Sequence, residues 1–287
     1  MSASVPIPAS IPHSSQLAKI FTSPLDDRIA HMNRVLSTAS GIDSTLCFVG
    51  YGLMFVSSSL ENLRNSPAFR SVLSNLSHGD ANKSATTKAS TGGLAAKLGD
   101  TAASAKALGG MCSDFRMAMR LWGLLKVWSG AKATYFSPPK DGVLKILAWT
   151  QLGSMAAYLV LENNYYLWSK GVIKGVTRET MVKRLRAAIW VFLSYLVLDF
   201  VRLGRVRQLR AIEQNEKEKG ENVDDKDVKA RLMEQDRAWY QSLQVDLAYF
   251  PLCFGWGGAI NLPEWSYGFG GMLAGLAKFK EALRVTA

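Results

Sequence analysis

The side chains that most often perform catalysis or bind metals are sparse in this sequence. The three histidines, His13, His31 and His78, all lie in the N-terminal third, and none is at ligand spacing from a cysteine or a carboxylate. No phosphate-binding glycine loop and no nucleophile-elbow motif occurs. The cysteines are odd in number and far apart, which argues against a disulfide framework or a zinc site: Cys47, Cys112 and Cys253. We therefore expect a protein that is not an enzyme and has no cofactor or metal.

The residues best suited to a chemical task lie in one stretch, Ser113 to Trp128, with the sequence SDFRMAMRLWGLLKVW. At 100° per residue, one side of a helix here carries Arg116, Arg120 and, more loosely, Lys126. The opposite side carries the bulky apolar residues Phe115, Ala118, Leu121, Trp122, Leu125 and Trp128. This separation is typical of a helix that binds a membrane surface, with cations at anionic headgroups and aromatic rings in the lipid.

The same pattern also fits a second interpretation, because most amphipathic helices bury their apolar side in a protein core. A helix of this length spans roughly 24 Å and contains cations, so crossing a bilayer is a poor interpretation. Ser113 is placed as an N-cap after the Gly109-Gly110 pair, so we expect the helix to begin there. Burial in lipid would supply up to about 1.5–3 kcal/mol for each large side chain.

Composition favours the membrane interpretation. The 287 residues have a net charge of +11 and a pI near 9.6, which indicates an anionic partner, either nucleic acid or a membrane surface. Eight Trp, nine Tyr and 24 Gly are typical of membrane proteins. The basic residues stand at the ends of apolar runs and not along one polar groove, so we expect no nucleic-acid binding and anionic lipids as the partner.

The N-terminal part divides into three segments. Residues 1–23 predict a flexible tail that faces the cytosol and lacks a secretory signal. Residues 24–76 predict a helical pair, in which the second helix, Ile42 to Leu63, packs in a bundle and does not span. Residues 77–110, rich in Ser, Ala, Thr, Gly and Lys, predict a low-complexity linker or insertion.

The middle of the chain predicts membrane-associated helices. Residues 111–136 contain the amphipathic surface helix, and residues 137–210 contain apolar helices with basic flanks. The run Ile146 to Leu161 is uncharged but short, so a span must begin near Gly142 or extend to Trp168 and carry Glu162 inside. The run Ala187 to Leu198 fits a half-buried or re-entrant helix. Residues 211–246 predict a charged helical connector.

Residues 247–287 predict a glycine-rich membrane segment with a basic tail. Only Glu264 interrupts the apolar run from Leu247 to Ala277. Gly271 and Gly275 form a GxxxG pair, which allows helices to approach closely and is a candidate face for self-association. Glu162 and Asp199 are functional candidates if their runs span the membrane, and otherwise mark segment ends.

Four stretches together resemble the peroxin eleven family, and its fungal branch in particular. In Leu25 to Gly52 the chain keeps the family's Gly41, Asp43 and Tyr51 but has Ile42, Ser44 and Gly50 at the intervening motif positions. The Ser113 to Trp128 stretch is similar to the family's amphipathic segment with two spaced arginines. Tyr158 to Gly171 matches its acidic, tryptophan and glycine positions, and GGMLAGLAKFKEALR its glycine-rich closing segment.

The resemblance implies an all-α, membrane-associated helical bundle in the peroxisomal membrane, integral or tightly associated, with both termini cytosolic. It implies insertion of the amphipathic helix into the cytosolic leaflet, curvature and elongation of the organelle, self-association, and fission by a recruited dynamin-related machinery. A metabolite pore is the alternative function attached to the family, and a soluble helical scaffold is the third hypothesis.

Overall fold

The chain folds as an all-α bundle. The structure, a computed structural model, describes the backbone of residues 24–78, 85–217 and 226–287 and the side chains of 24–72, 93, 95–213 and 230–287. Within these ranges there is no strand. The helices are α1 (Pro24–Leu36), α2 (Ala39–Asn65), α3 (Pro67–His78), α4 (Ala85–Arg120), α5 (Gly123–Phe136), α6 (Gly142–Ser169), α7 (Arg178–Lys217), α8 (Lys226–Trp256) and α9 (Glu264–Val285).

Local sequence signals fix two of the helix starts. The hydroxyl of Thr38 accepts a hydrogen bond from the Gly41 amide at 3.0 Å and caps α2. The carboxylate of Asp141 accepts one from the Leu144 amide at 2.9 Å and caps α6. The run Ile146 to Leu161 therefore belongs to a helix that begins at Gly142 and also contains Glu162. The helix thus extends beyond the uncharged run at both ends, and either extension alone was expected to give it the length of a membrane span.

Six helices form a closed ring in which each packs on the next. The order around the ring is α2, α4, α6, α7, α8 and α9, and α9 packs again on α2. The core has contributions from α2, α7, α8 and α9: Cys47, Leu193, Leu196, Tyr249, Leu252, Cys253 and Ala274. Helix α1 lies against both α2 and α9, and α5 packs on α6 outside the ring.

The contact between α2 and α9 depends on glycine. A Cβ at Gly275 would lie 2.6 Å from the Cα of Phe48, and a Cβ at Gly271 would meet the ring of Tyr51. Close approach lets Phe48 stack on Phe279 with 5.8 Å between ring centroids. The structure thus places the GxxxG pair at a helix contact within one chain, and self-association through it is not needed to explain these glycines.

Within the described ranges, three helices are long and apolar enough to cross a membrane by length and composition. They are Ala39–Asn65, Gly142–Ser169 and Arg178–Glu213. The prediction that Ala187 to Leu198 forms only a half-buried or re-entrant segment is wrong in length, because α7 continues through both basic flanks. Arginine and lysine are good helix formers and extend the helix beyond the apolar part. The second helix, α2, packs on α4 and α9 in the bundle, and by length and composition it is also the first of these three candidates.

The C-terminal block is not one continuous segment. Helix α8 ends at Trp256, a turn follows in which Gly258 has a φ of 78°, and α9 begins at Glu264 after Pro263. Only glycine adopts this φ readily, and Pro263 suits a helix start. The prediction of a single membrane segment over 247–287 is therefore wrong in its connectivity, and neither α8 nor α9 is among the three helices of spanning length.

The predicted linker at 77–110 is mostly helix. Residues 85–110 belong to α4, residues 77 and 78 end α3, and residues 79–84 lie outside the described range. Ala102 and Ala105 are buried, and the Ser57 hydroxyl donates to the Ala102 carbonyl at 2.8 Å. Small residues appear as low complexity in sequence, but they allow α4 to pack closely on α2. The predicted helical pair at 24–76 likewise contains a third helix, α3.

A matched pair of Gly→Ala substitutions tests the α2–α9 contact. At Gly275 the added methyl overlaps the backbone of Phe48, so we expect a loss of about 1–3 kcal/mol in unfolding free energy. At Gly204 in α7 a Cβ meets nothing within 4 Å, so we expect no loss and a gain of up to about 1 kcal/mol. Unfolding followed by circular dichroism in detergent micelles measures both, and equal responses would contradict the assigned contact.

Candidate membrane-contact surface and buried arginine cluster

The predicted amphipathic helix is divided between two helices. Helix α4 passes through Gly109, Gly110 and Ser113 without interruption and ends at Arg120. The amides of Leu121 and Trp122 then bond to carbonyls three residues earlier, at 3.1 and 3.3 Å, and α5 starts at Gly123. The prediction of one helix that starts at Ser113 is therefore wrong. Gly109 does not stop α4, because it lies against Gly50 of α2 and packing holds the helix together.

Arg116 is buried, with 8% of its surface exposed. Its Nε donates to Asp43 of α2 at 2.9 Å, and its guanidinium lies 5.7 Å from the ring centroid of Tyr51. Charge-assisted hydrogen bonding to a partly buried carboxylate ties the end of α4 to the start of α2. The prediction that Arg116 binds lipid headgroups is wrong, because its polar atoms are enclosed by the protein.

Arg120 makes the corresponding link to α6. Its Nη1 lies 2.8 Å from the Tyr158 hydroxyl and 2.8 Å from Glu162 Oε1. The Tyr158 hydroxyl donates to the same carboxylate oxygen at 2.6 Å. We call Asp43, Arg116, Arg120, Tyr158 and Glu162 the buried arginine cluster. The structure accordingly corrects the lipid assignment of Arg120 as well, since its charge is already paired with the buried Glu162.

The apolar side of the stretch faces outward. Trp122 and Trp128 are 73% and 74% exposed, Leu125 is 65% exposed, and Phe115 is also exposed. The opposite side of α5 lies on α6 through Gly123 and Gly130, which approach Leu159 and Leu152. None of the residues of α5 is buried. Exposed apolar area of this size marks a contact surface.

This surface is larger than the sequence pattern indicated. Tyr135 and Phe136, both 71% exposed, extend it at the end of α5, and Ile146 of α6 is exposed as well. Their position directly before Ser137-Pro138-Pro139 could have identified them from sequence, because aromatic residues at the end of a membrane-surface helix often lie at the headgroup level. Lys126 is exposed beside the aromatic rings, while Leu121 is half-buried at the joint. We call Phe115, Trp122, Leu125, Trp128, Tyr135 and Phe136 the exposed aromatic surface.

The second predicted carboxylate, Asp199, is also engaged. It accepts hydrogen bonds from Arg202 at 2.6 and 2.9 Å and from Gln151 of α6 at 2.7 Å. Beside it lies Asp246 of α8, which sequence reasoning missed, and the Oδ2 atom of Asp246 is buried without a hydrogen-bond partner. Burial, with the neighbouring Asp199, raises the pKa of Asp246 to about 8. Asp246 therefore holds its proton more strongly than an ordinary aspartate does.

The part of the chain with described side chains contains no group of three or more His, Cys, Asp or Glu residues able to hold a metal. Cys47, Cys112 and Cys253 are buried free thiols. The Nε2 atom of His31 lies 2.8 Å from the Leu283 carbonyl and joins α1 to α9. His13 and the side chain of His78 lie outside the described range.

Taken together, three helices of spanning length, paired internal charges and an outward aromatic surface define a membrane-associated helical bundle. The family model of Peroxisomal biogenesis factor 11 (PEX11) matches residues 92–283, well over half of the chain, and the chain belongs to this family. No curated protein and no solved structure matches it. The match confirms the resemblance and makes the chain a peroxisomal membrane protein of peroxisome proliferation, in a family of biogenesis factors and not of enzymes.

The range matched by the family model can be compared with the predicted segment boundaries. It includes residues 92–110, so this part of the predicted insertion belongs to the family's own region. It also contains Arg116, Arg120 and the whole exposed aromatic surface. The stretch Leu25 to Gly52, which carried part of the resemblance, lies outside the match.

Substitutions at Arg120 test whether its contacts with α6 stabilise the folded protein. Arg120→Met leaves Glu162 buried and unpaired, so we expect a loss of about 2–4 kcal/mol in unfolding free energy. Adding Glu162→Gln should recover part of it, because the uncompensated charge is gone. Lys126→Met, at an exposed position, should change stability by less than about 0.5 kcal/mol. Denaturant unfolding in uncharged detergent is the measurement, and equal effects of the two Met variants would contradict a structural role for Arg120.

Asp246 gives a pH dependence of defined sign. The folded chain keeps its proton up to about pH 8, whereas the carboxyl of an unfolded aspartate has its ordinary pKa of 3.8. The folded state thus binds more protons between these values, and stability falls as pH rises from about 4 to about 8. Asp246→Asn should remove this fall, raising the melting temperature at pH 8 by roughly 2–6 °C over the unmodified chain and little at pH 5.

The matched control for this titration is Asp236→Asn, an exposed position of the same helix that pairs with Arg210. It should leave the pH dependence unchanged. If Asp246→Asn and the unmodified chain lose stability in parallel between pH 5 and pH 8, Asp246 does not titrate there.

Proposed function

We propose that this protein elongates and curves the peroxisomal membrane by inserting the exposed aromatic surface of α5 into the cytosolic leaflet. The observation that carries the proposal is the exposure of Trp122, the N-cap of α5, and of Leu125 and Trp128 within α5, a helix in which no residue is buried. In water such a surface is unfavourable, and transfer into lipid recovers up to about 1.5–3 kcal/mol for each large side chain. The wedge spreads the headgroups and favours curvature.

Cationic side chains next to the rings support a membrane surface over a protein partner. Lys126 and Lys132 of α5 and Lys140 after it are exposed and lack carboxylate partners among the described side chains. Each adds roughly 1 kcal/mol at an anionic leaflet. These lysines, and not the two arginines, supply the electrostatic part of the attraction.

The buried arginine cluster gives the wedge a rigid support. Arg120, the last residue of α4, is fixed to Tyr158 and Glu162 of α6, one of the helices of spanning length. Penetration of α5 is thereby coupled mechanically to a membrane-embedded helix. A wedge without such support would relax by tilting and would bend the membrane less.

Contacts between α1 and the end of α9 support a location of both termini on the same side of the membrane. His31 of α1 contacts the Leu283 carbonyl, and Arg34 donates to the Thr286 carbonyl at 2.9 Å. The N-terminal helix and the end of α9 therefore lie at the same end of the bundle. We place this end in the cytosol, and we further propose that self-associated copies concentrate curvature until a dynamin-related fission machinery divides the organelle.

No specific observation favours the alternative of a metabolite pore. A pore based on Glu162 and Asp199 needs these carboxylates to face a water-filled path. Glu162 is instead engaged by Arg120 and Tyr158, and Asp199 by Arg202 and Gln151.

The wedge is tested in the full-length protein with Trp122→Gln and Leu125→Gln combined. We expect binding to liposomes with anionic lipid to fall at least roughly tenfold, since about 1.5–3 kcal/mol per side chain is lost, and peroxisome elongation in cells to be abolished. The control combines Met233→Gln and Tyr240→Gln, equally exposed positions on α8. Normal elongation by the α5 variant at equal protein level would refute the proposal.

A further inference from the structure

A groove of about 860 Å³ runs between α6 and α7 on the outside of the ring. Its α6 wall includes Gly153 and Ser154, and its α7 wall includes Trp190, Ser194 and Val197. Both helices have spanning length, so the groove opens where bilayer hydrocarbon would lie. A Cβ at Gly153 would meet nothing within 4 Å, and the missing side chain gives the groove its depth.

The groove makes no demand for a polar occupant. The Ser154 hydroxyl donates to the Val191 carbonyl at 2.9 Å, and the Ser194 hydroxyl donates to the same carbonyl at 2.7 Å. The Thr150 hydroxyl donates to the Ile146 carbonyl at 2.9 Å. Because each hydroxyl donor is already used inside the protein, the remaining surface suits a hydrocarbon chain.

Positive charge lies at one end of the groove. Arg186 and Lys183 come one and two turns before Trp190 on the same side of α7, roughly 6 and 10 Å along its axis. Arg186 lies over the turn at Gly258, and within the described side chains no carboxylate is in ion-pair distance of it. Lys183 pairs only with the exposed Glu179, a contact that solvent weakens. A tryptophan below basic side chains is the usual arrangement at the headgroup level.

Charge decides between a lipid and a second copy of the chain as the occupant. The N-terminal end of the apolar part of α7 is basic, with Arg184 and Arg186, whereas Arg205 at the other end pairs with Asp141. A parallel two-fold contact between two such faces brings the like charges of the N-terminal ends together. An anionic headgroup is complementary to the same residues.

We propose that this groove binds one acyl chain of an anionic phospholipid whose phosphate lies at Arg186. The site is separate from α5 and goes beyond the wedge function. It requires only that α6 and α7 lie in the membrane, so it stands even if the α5 variant leaves elongation unchanged.

The test uses the full-length chain in phosphatidylcholine nanodiscs containing phosphatidylinositol with a diazirine in one acyl chain. After photolysis, peptide mapping should find the label concentrated around Gly153 and Ser194. Gly153→Leu fills the groove and should reduce this labelling by about fivefold or more. Ala157→Leu, one turn further on α6 and outside the groove lining, should not.

A second pair of variants, Arg186→Gln and its control Arg184→Gln, tests the contact with the lipid headgroup. Arg186→Gln should lower labelling by the phosphatidylinositol probe about fivefold and leave a phosphatidylcholine probe with the same tail unaffected. Arg184→Gln is the neighbouring control. If Gly153→Leu lowers the melting temperature, Val197→Trp is used in place of Gly153→Leu, because it fills the groove from the α7 wall.

Two results would overturn the assignment. Labelling spread evenly over the lipid-exposed helices and insensitive to both groove-filling variants would mean ordinary surrounding lipid. Efficient disulfide dimers of a Gly153→Cys variant under mild oxidation, with no lipid label at the groove, would mean that a second copy covers it.

Discussion

The architecture depends on two arginines at the end of α4, of which Arg116 is buried and Arg120 is half-buried. Burying a guanidinium is costly unless a carboxylate and good hydrogen bonds compensate, and here Asp43 and Glu162 come from two different helices. Helices α2, α4 and α6 are thus held in one relative position by charge. The helix path changes directly after Arg120, and Gly123 at the start of α5 then lies against Leu159 of α6. The apolar side chains of α5 face outward from this contact.

Small residues determine how closely the other helices approach. Glycines of α9 admit the aromatic residues of α2, and alanines of α4 lie against the opposite side of α2. Larger side chains then make ring contacts between neighbouring helices, as Phe55 does with Phe269 at 5.7 Å between ring centroids. Close packing of this kind stabilises helices in lipid, where little hydrophobic driving force acts between them.

Sequence reasoning predicted the all-α class, the aromatic side of Ser113 to Trp128 and the family, because these depend on local periodicity and on residue types. It placed Arg116 and Arg120 on the correct side of the helix but in the wrong environment. Periodicity states which residues share a face, whereas their partners Asp43 and Glu162 are remote in sequence. The segment 85–110 was missed for a related reason, since alanine and glycine carry no amphipathic signal and only packing on α2 makes their helix stable.

The buried Asp246 could not be found from sequence either. It precedes an apolar run in α8 and has the pattern of an ordinary segment boundary. Its unusual protonation comes from Asp199, which reaches it only when α7 and α8 pack in the ring. The pKa of Asp246 is raised partly by a second carboxyl beside it, and only the tertiary structure brings the two carboxyls together.

The position of α9 between α2 and α8 also constrains how the protein is made. Residues 264–285 cover the face of α2 that carries Phe48, Tyr51 and Phe55, so this face has no partner while the preceding helices are being translated. An uncovered aromatic face on an apolar helix promotes aggregation unless a chaperone shields it. The ring therefore closes only after residues 264–285 have left the ribosome.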